Sequence, residues 1–250
     1  LPPDQEQERV VNQAEPTFKP ETTLPHNPRN FQTPNYGLET YGDLFTNRQL
    51  VALDTLSEAI SEVKEIIRSD YGLKLGNQND TPLRLGGDGA TAYAEAVSVY
   101  LTFAVSKVAD RGSTICTWFT ERDSTRNTFS RQAIQMTWDF AEMNVLLEGT
   151  GSFLGAVKWT AESLAGLHPA AEGKSVHANA TEAGDLLSDK VISTDPPYYN
   201  NIGYAELSDF FYVWLRRALK DVYPDLFDLL STPKMEELVA TPYRHGGNSE

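Results

Sequence analysis

The feature that most constrains the fold of this chain is a short apolar run that ends at two consecutive prolines. Residues 191–194 read Val-Ile-Ser-Thr, which is typical of the end of a buried strand. Prolines 196–197 cannot donate to a strand ladder, so the strand has to stop there. We therefore expect Asp195 to lie at the carboxyl edge of a β-sheet. In open α/β sheets this edge is where ligands bind.

The loop Asp195-Pro196-Pro197-Tyr198 suits a planar heterocycle that carries an exocyclic amine. The Asp195 carboxylate can accept one amine hydrogen and the Pro196 carbonyl the other, while Tyr198 stacks on the ring. Two such acceptors aim the nitrogen lone pair at an incoming electrophile, which is catalysis by positioning and electrostatics. These four residues are the predicted catalytic set. The alternative is a chance turn, because Asp-Pro and Pro-Pro are ordinary loop dipeptides.

The same four residues resemble the catalytic loop of the amino-methyltransferases, which methylate N6 of adenine or N4 of cytosine in DNA. The run from Asp195 to Arg217 is similar to one branch, the large bacterial and archaeal adenine-specific methylases that contain a zinc ribbon. Residues 44–50 and 138–142 are also similar to it, so the resemblance covers most of residues 40–245. It implies S-adenosylmethionine as the cofactor and DNA as the partner, with the target adenine flipped out of the duplex.

In that branch the glycine-rich cofactor loop and the zinc ribbon lie N-terminal to this region, and neither is visible here. We therefore expect a piece of a longer protein that supplies the target-amine half of the active site. By itself, such a piece would be inactive or nearly so. The sequence predicts no metal site, because Cys116 is the only cysteine and no zinc ribbon can be built from cysteine pairs.

Five further residues are candidates around the loop. Tyr199, Asn200 and Tyr204 follow it in a polar, aromatic stretch that would shape the mouth of a substrate pocket, although an ordinary loop has the same composition. In many enzymes of the resembled family an acidic residue follows the preceding strand and lies near the cofactor's adenine. Asn179 occupies that spacing here, which departs from the pattern, and Asp185 is a second candidate for the cofactor site.

The predicted fold class is α/β. Part of a Rossmann-like methyltransferase sheet is expected over about residues 174–245, with strands at 175–178 and 191–194, after a large and mainly helical insertion. Three regions follow from this interpretation: a proline-rich linker (1–36), a helical region (37–170) and a partial methyltransferase catalytic domain (171–250). The linker contains seven of the fourteen prolines and few apolar residues, so we expect it to bury little surface.

Apolar periodicity predicts the helices. They are expected from Asn47 to Gly72, between Asp88 and Gly112, over about 130–145, from Phe153 to Leu164, over 207–219 and over 233–239. Glycines 149 and 151 precede the fourth of these helices, as they would in a nucleotide-binding loop. No apolar strand precedes them, and this favours a turn between two helices over a cofactor loop.

Charge is the main observation against a DNA enzyme. The net charge is −14, and an acidic surface repels phosphates. The stretch 107–131 has a local balance of +2, which an ordinary solvated face explains equally well. The rest of a basic DNA-binding surface is therefore expected in other parts of the protein or in protein partners. With no apolar membrane span and no signal peptide, the default expectation is a cytoplasmic protein. Two alternatives stay open: a non-catalytic interaction module, and methylation of an amine or amide in protein or RNA.

Overall fold

The computed structural model describes residues 2–27, 29–76, 79–171, 173–196, 198–199 and 202–240. Within these ranges the fold is mostly helical, and its one sheet is a two-stranded antiparallel hairpin. The helices and strands are α1 (Gln5–Asn12), α2 (Asn47–Leu75), α3 (Ala90–Arg111), β1 (Trp118–Phe119), β2 (Ser124–Thr125), α4 (Phe153–Ala165) and α5 (Tyr204–Leu219). In the same ranges, every helix is too short or too polar to span the apolar layer of a bilayer.

Helix α2 confirms the prediction from periodicity, with small differences at both ends. Its N-cap is Thr46 and not Asn47, because the Thr46 hydroxyl accepts a hydrogen bond from the Gln49 amide in a reciprocal capping box. The helix runs past Gly72 to Leu75, and its C-cap, Gly76, adopts a left-handed conformation with φ 61°. Leu50, Leu53 and Ile60 are buried along one face of the helix.

Helix α3 buries Ala104 and Val108, as its apolar periodicity predicts, but exposes its large aromatic side chains. Their periodicity favours Tyr93 and Tyr100 for the core, but 46% and 39% of the surfaces of these residues are exposed. The face that is buried consists mainly of small residues, which a search for large apolar side chains does not find. Its members are Ala90, Ala92, Ala94, Glu95, Ser98, Thr102, Ala104, Val105, Val108 and Ala109.

The core forms where α5 packs against α2 and α3. Phe210 and Trp214 of α5 are fully buried. The ring of Phe45, which precedes α2, stacks on Phe210 at 5.5 Å and meets Trp214 edge-on at 5.6 Å between centroids. Aromatic pairs of this geometry add to the stability that burial of apolar area supplies. The segment before α2 and the distant helix α5 therefore share one core.

The prediction that residues 1–36 bury little surface is wrong for the second half of that segment. Leu24 and Phe31 are buried, and Phe18 packs edge-on against Trp214. The chain runs so close to Gly42 that a Cβ atom there would lie 2.6 Å from the Pro20 carbonyl oxygen. The apolar residues are few, but each is placed against the helical core.

The predicted helix over 130–145 is also wrong. Ile134 is fully buried and forms a parallel bridge with Phe31. Its amide donates to the Asn30 carbonyl at 2.7 Å, and its carbonyl accepts from the Gln32 amide at 3.0 Å. A helix would need both groups for its own ladder. Pairing with the N-terminal segment therefore replaces the helix that the sequence pattern favours.

Neither predicted strand of the catalytic domain forms within the described residues. Stretches 175–178 and 191–194 have irregular backbone, and the Val191 side chain is completely exposed. A parallel strand needs a neighbour brought alongside by a crossover connection, and no described segment pairs with these stretches. The described residues thus contain no Rossmann-like sheet. The predicted helix over 233–239 is likewise replaced by turns.

Candidate functional site

A cavity of about 520 Å³ lies beside the first turn of α5. This volume falls in the range of about 300–1,000 Å³ that is usual for small-molecule sites. Its wall combines an aromatic ring, an amide, hydroxyls and carboxylates. The lining residues are His177, Ala178, Asn179, Ala180, Tyr204, Ala205, Ser208, Thr232, Pro233, Glu236, Glu237 and Leu238.

Glu237 joins two walls of this cavity. Its Oε1 accepts a hydrogen bond of 2.9 Å from the backbone amide of Ala205, in the first turn of α5. The first amides of a helix have no partner inside the helix, and the helix dipole favours negative charge at that end. The C-terminal segment therefore supplies the cap that the helix's own N-cap residue, Gly203, cannot provide.

Asp209 holds the same C-terminal segment in place from one turn further along α5. Its carboxylate is 1% exposed and accepts 2.7 and 2.8 Å hydrogen bonds from the amide and hydroxyl of Thr232. The Lys234 ammonium lies 2.6 Å from its other oxygen. A buried carboxylate is tolerated only with such partners. The network fixes the backbone of residues 232–234, which form one side of the cavity.

A second anchor is the Tyr212 hydroxyl, which donates to the Leu229 carbonyl at 2.8 Å. Burial raises the pKa of Tyr212 above the ordinary value of 10.0, at which a phenol is already protonated and a donor at neutral pH. Together with Asp209, it ties the chain that follows α5 back onto that helix.

The predicted catalytic loop lies at the surface. Asp195 and Pro196 are exposed, and the Tyr198 ring is 69% exposed. Tyr199 has a left-handed backbone with φ 50°, unusual for a residue with a side chain. The carbonyl of Tyr199 accepts a 3.1 Å hydrogen bond from the Ala240 amide.

That hydrogen bond connects the loop to the cavity wall. Ala240 follows Val239, which is buried, and Val239 donates its amide to the carbonyl of Glu237 at 2.8 Å. Through this hydrogen bond, the loop contacts the chain three residues after Glu237, the residue that caps α5. Asp195 and Tyr198 are nevertheless absent from the described lining of the cavity. Predicted residues Pro197 and Asn200 lie outside the described residues.

The structure brings together Asn179 and Tyr204, one predicted for the cofactor and the other for the substrate. Both line the cavity. The Asn179 side-chain oxygen accepts from the amide and hydroxyl of Thr181 at 3.0 and 2.8 Å, which fixes its orientation in a local turn. The Asp185 backbone belongs to a short 3₁₀ helix, Ala183–Leu187, and its side chain lies outside what the structure describes.

Sequence reasoning missed the wall formed by residues 232–238. One signal for it was present: Asp209 lies between Leu207 and Phe210, in the apolar face of a helix, where a carboxylate requires a buried partner. The identity of that partner, Lys234, is set by the turn that replaces the predicted helix. No local pattern in the sequence specifies that turn.

A second cavity, of about 470 Å³, lies at the N-terminus of α4. Gly149 and Gly151 line it with positive φ angles of 147° and 93°, and Ser152 caps the helix through its hydroxyl. The Lys107 ammonium covers the Trp159 ring at 3.5 Å. The residues before the glycine loop form turns and irregular backbone, not a helix. The prediction that this loop joins two helices is therefore wrong for the helix before it, while the helix after it, α4, does form.

No family profile matches this chain, and no curated protein and no solved structure shows significant similarity to it.

Proposed function

We propose that this chain supplies the target-amine loop of an S-adenosylmethionine-dependent methyltransferase that acts on N6 of adenine in DNA. In this proposal the Asp195 carboxylate and the Pro196 carbonyl accept the two amine hydrogens of a flipped adenine, and Tyr198 stacks on its ring. Asn179 and Asp185 contribute to the cofactor side of the site, and Tyr199, Asn200 and Tyr204 to the substrate side.

The observation that carries the proposal is the exposure of the loop together with its connection to the cavity. A carboxylate and an aromatic ring that grip a nucleobase must be reachable from solvent, and Asp195 and the Tyr198 ring are both exposed. The hydrogen bond between Tyr199 and Ala240 links them to a cavity whose volume suits a nucleoside-sized ligand.

We further propose that residues 174–196 become strands of a Rossmann-like sheet when paired with additional strands. Val176, Val191 and Ile192 are 54%, 100% and 59% exposed, although β-branched residues in such runs are typical of strands covered on both faces. Strand edges with unpaired backbone groups readily accept another strand. Asp195 would then stand at the carboxyl edge of that sheet.

The test is methylation of genomic DNA that lacks N6-methyladenine by the protein expressed from its complete gene, with the methylated base measured by mass spectrometry. Asp195→Asn keeps the shape of the side chain and removes its charge, so we expect turnover to fall by about 10²–10³-fold, the usual cost of removing one electrostatic stabiliser. Tyr198→Ala should also reduce turnover. Binding of S-adenosylmethionine, measured by calorimetry, should stay close to that of wild type for both variants.

Asp70→Asn and Tyr36→Ala are the matched controls, because both side chains are exposed on other elements. Full turnover in Asp195→Asn would contradict the proposal, as would methyl transfer to protein or RNA with none to DNA.

One observation favours a non-catalytic interaction module as a second candidate. Asp195 and Tyr198 are absent from the described lining of the cavity beside α5, and a loop exposed in this way is also suited to contact another protein. The same assay separates the two functions. An interaction module would neither bind S-adenosylmethionine nor transfer methyl groups, whatever residue stands at position 195.

A further inference from the structure

The β1–β2 hairpin carries an arginine–aromatic surface made of Trp118, Phe119, Arg122 and Arg126. The guanidinium of Arg126 lies 4.3 Å from the centre of the Phe119 ring, and that of Arg122 lies 5.5 Å from it. Trp118, the preceding residue of β1, is 50% exposed. One ring thus contacts two cationic groups, and Trp118 adds an exposed ring to the same hairpin.

This surface is fixed to the body of the protein. The Arg126 amide donates to the Thr117 carbonyl at 2.8 Å, across the open end of the hairpin. Behind the hairpin, the Arg111 side chain of α3 donates to the carbonyl of Thr125 at 2.8 Å, and Thr125 is fully buried. The hairpin is short, but it is held against α3 as a preorganised platform.

The charges on this surface are not neutralised within the described part of the chain. There, neither Arg122 nor Arg126 has a carboxylate oxygen within 4.0 Å of its guanidinium, although Glu121 and Asp123 are exposed on the same hairpin. Two guanidinium groups on one ring repel each other, and a bound anion would relieve that repulsion. In a chain with net charge −14, this cluster is locally suited to a polyanion.

We propose that the arginine–aromatic surface contacts DNA. This inference rests on the proposed function and deepens it, because it places a DNA contact on this chain itself. Guanidinium groups match phosphate oxygens bidentately, and exposed aromatic rings stack on unpaired bases. Arg122 and Arg126 bind backbone phosphates, and Trp118 stacks on an unpaired base.

The test is fluorescence anisotropy of labelled DNA, both duplex and single-stranded, titrated with the full chain from roughly 50 to 200 mM salt. The double variant Arg122→Gln, Arg126→Gln should weaken binding at least about tenfold at the lower salt concentration. It should also flatten the slope of log K against log salt, by about 0.9 for each duplex phosphate that is no longer neutralised. Trp118→Ala should weaken single-strand binding roughly tenfold and duplex binding less, because only unpaired bases are free to stack.

The control with matched charge is Arg9→Gln, Arg68→Gln, which removes two exposed arginines that pair with carboxylates on α1 and α2. Trp138→Ala, at a ring that is 81% exposed, controls for the removal of an aromatic side chain. Circular dichroism verifies that each variant is folded. Equal salt slopes and affinities for the two double variants would overturn the inference, as would the absence of DNA binding by the wild-type chain at low salt.

The readouts also separate this inference from the proposed function. If Asp195→Asn loses methylation while the hairpin variants bind DNA normally, the DNA contact lies elsewhere and the methyltransferase stands. If the hairpin variants lose DNA binding and no methylation of adenine is found, the surface stands and the methyltransferase falls.

Discussion

At the scale of single residues, Asp43 attaches the N-terminal segment to the rest of the molecule. Its carboxylate lies 2.6 Å from the Lys19 ammonium and accepts hydrogen bonds from the backbone amides of Glu39 and Thr40 at 3.0 and 2.8 Å. Burial alone raises the pKa of Asp43, but the hydrogen bonds from Lys19 and Thr40 outweigh it and hold the pKa at about 2.

The low pKa of Asp43 makes its contribution to stability depend on pH. The ordinary value is 3.8, so the ionised carboxylate stabilises the folded state above that pH, and this stabilisation disappears as the pH falls toward about 2. We expect Asp43→Asn to lower the free energy of unfolding by about 1–2 kcal/mol at pH 7, a value discounted because Lys19 is half exposed.

Urea denaturation of wild type and Asp43→Asn at neutral pH and at a pH just above the pKa of about 2 measures this dependence. The difference between the two proteins should shrink at the lower pH. The exposed Asp70→Asn serves as the control, and a difference that is the same at both pH values would contradict the assignment.

At the scale of elements, α5 supplies the side chains that join α2, α3 and the segment before α2. The Phe210 ring is fully buried and meets Phe45, Phe129 and Phe211 at 5.2–5.5 Å between centroids. Phe45 and Phe129 come from two distant parts of the sequence, whereas Phe211 is the next residue of α5. The position of α5, and with it the first turn that borders the cavity, depends on this aromatic cluster.

Truncation of that ring tests the role of α5. Phe210→Ala should lower the free energy of unfolding by about 3–5 kcal/mol, because apolar burial disappears and a cavity remains. Phe103→Ala removes the same atoms from α3, where the ring is 46% exposed, and should cost much less. Thermal and urea unfolding of both variants supply the comparison. Similar destabilisation of the two would show that the core lies elsewhere.

At the scale of the whole molecule, one ionic network connects three parts of the chain. Arg217 of α5 donates to Asp54 of α2 at 2.9 Å and lies 2.5 Å from Glu58 one turn later. The Thr17 hydroxyl also donates to Asp54, at 2.5 Å, and brings in the N-terminal segment. The Asp54 side chain is only 3% exposed, so its charge depends on these partners.

Removal of Arg217 would leave Asp54 buried without its cation. We expect Arg217→Ala to lower the free energy of unfolding by about 3 kcal/mol, the lower end for a broken buried pair because Arg217 is one third exposed. Arg217→Lys should recover only part of this, since one ammonium cannot reproduce the forked contact with two carboxylates. In contrast, Arg84→Ala breaks a pair at 3.9 Å with the exposed Asp225 and should cost less than about 1 kcal/mol. Urea unfolding measures all three variants, and equal destabilisation by Arg217→Ala and Arg84→Ala would contradict this account.

Helices α2, α3, α4 and α5 can be predicted from the sequence alone. Their apolar spacing is a local property, and a helix forms its hydrogen bonds within one segment. The sequence also singled out the loop from Asp195 to Tyr198 as the most specific candidate site, and that site remains a prediction.

The other features depend on tertiary contacts, because each is set by a partner far away in the chain. Residues around Ile134 do not form the predicted helix, because their backbone pairs with residues 30–32. Hydrogen bonds from Thr232 and Lys234 to the buried Asp209 carboxylate fix the path of residues 232–234. The cavity wall depends on that interaction. Periodicity reports how a segment presents its own side chains, whereas a pairing between distant segments is fixed only when both are in place.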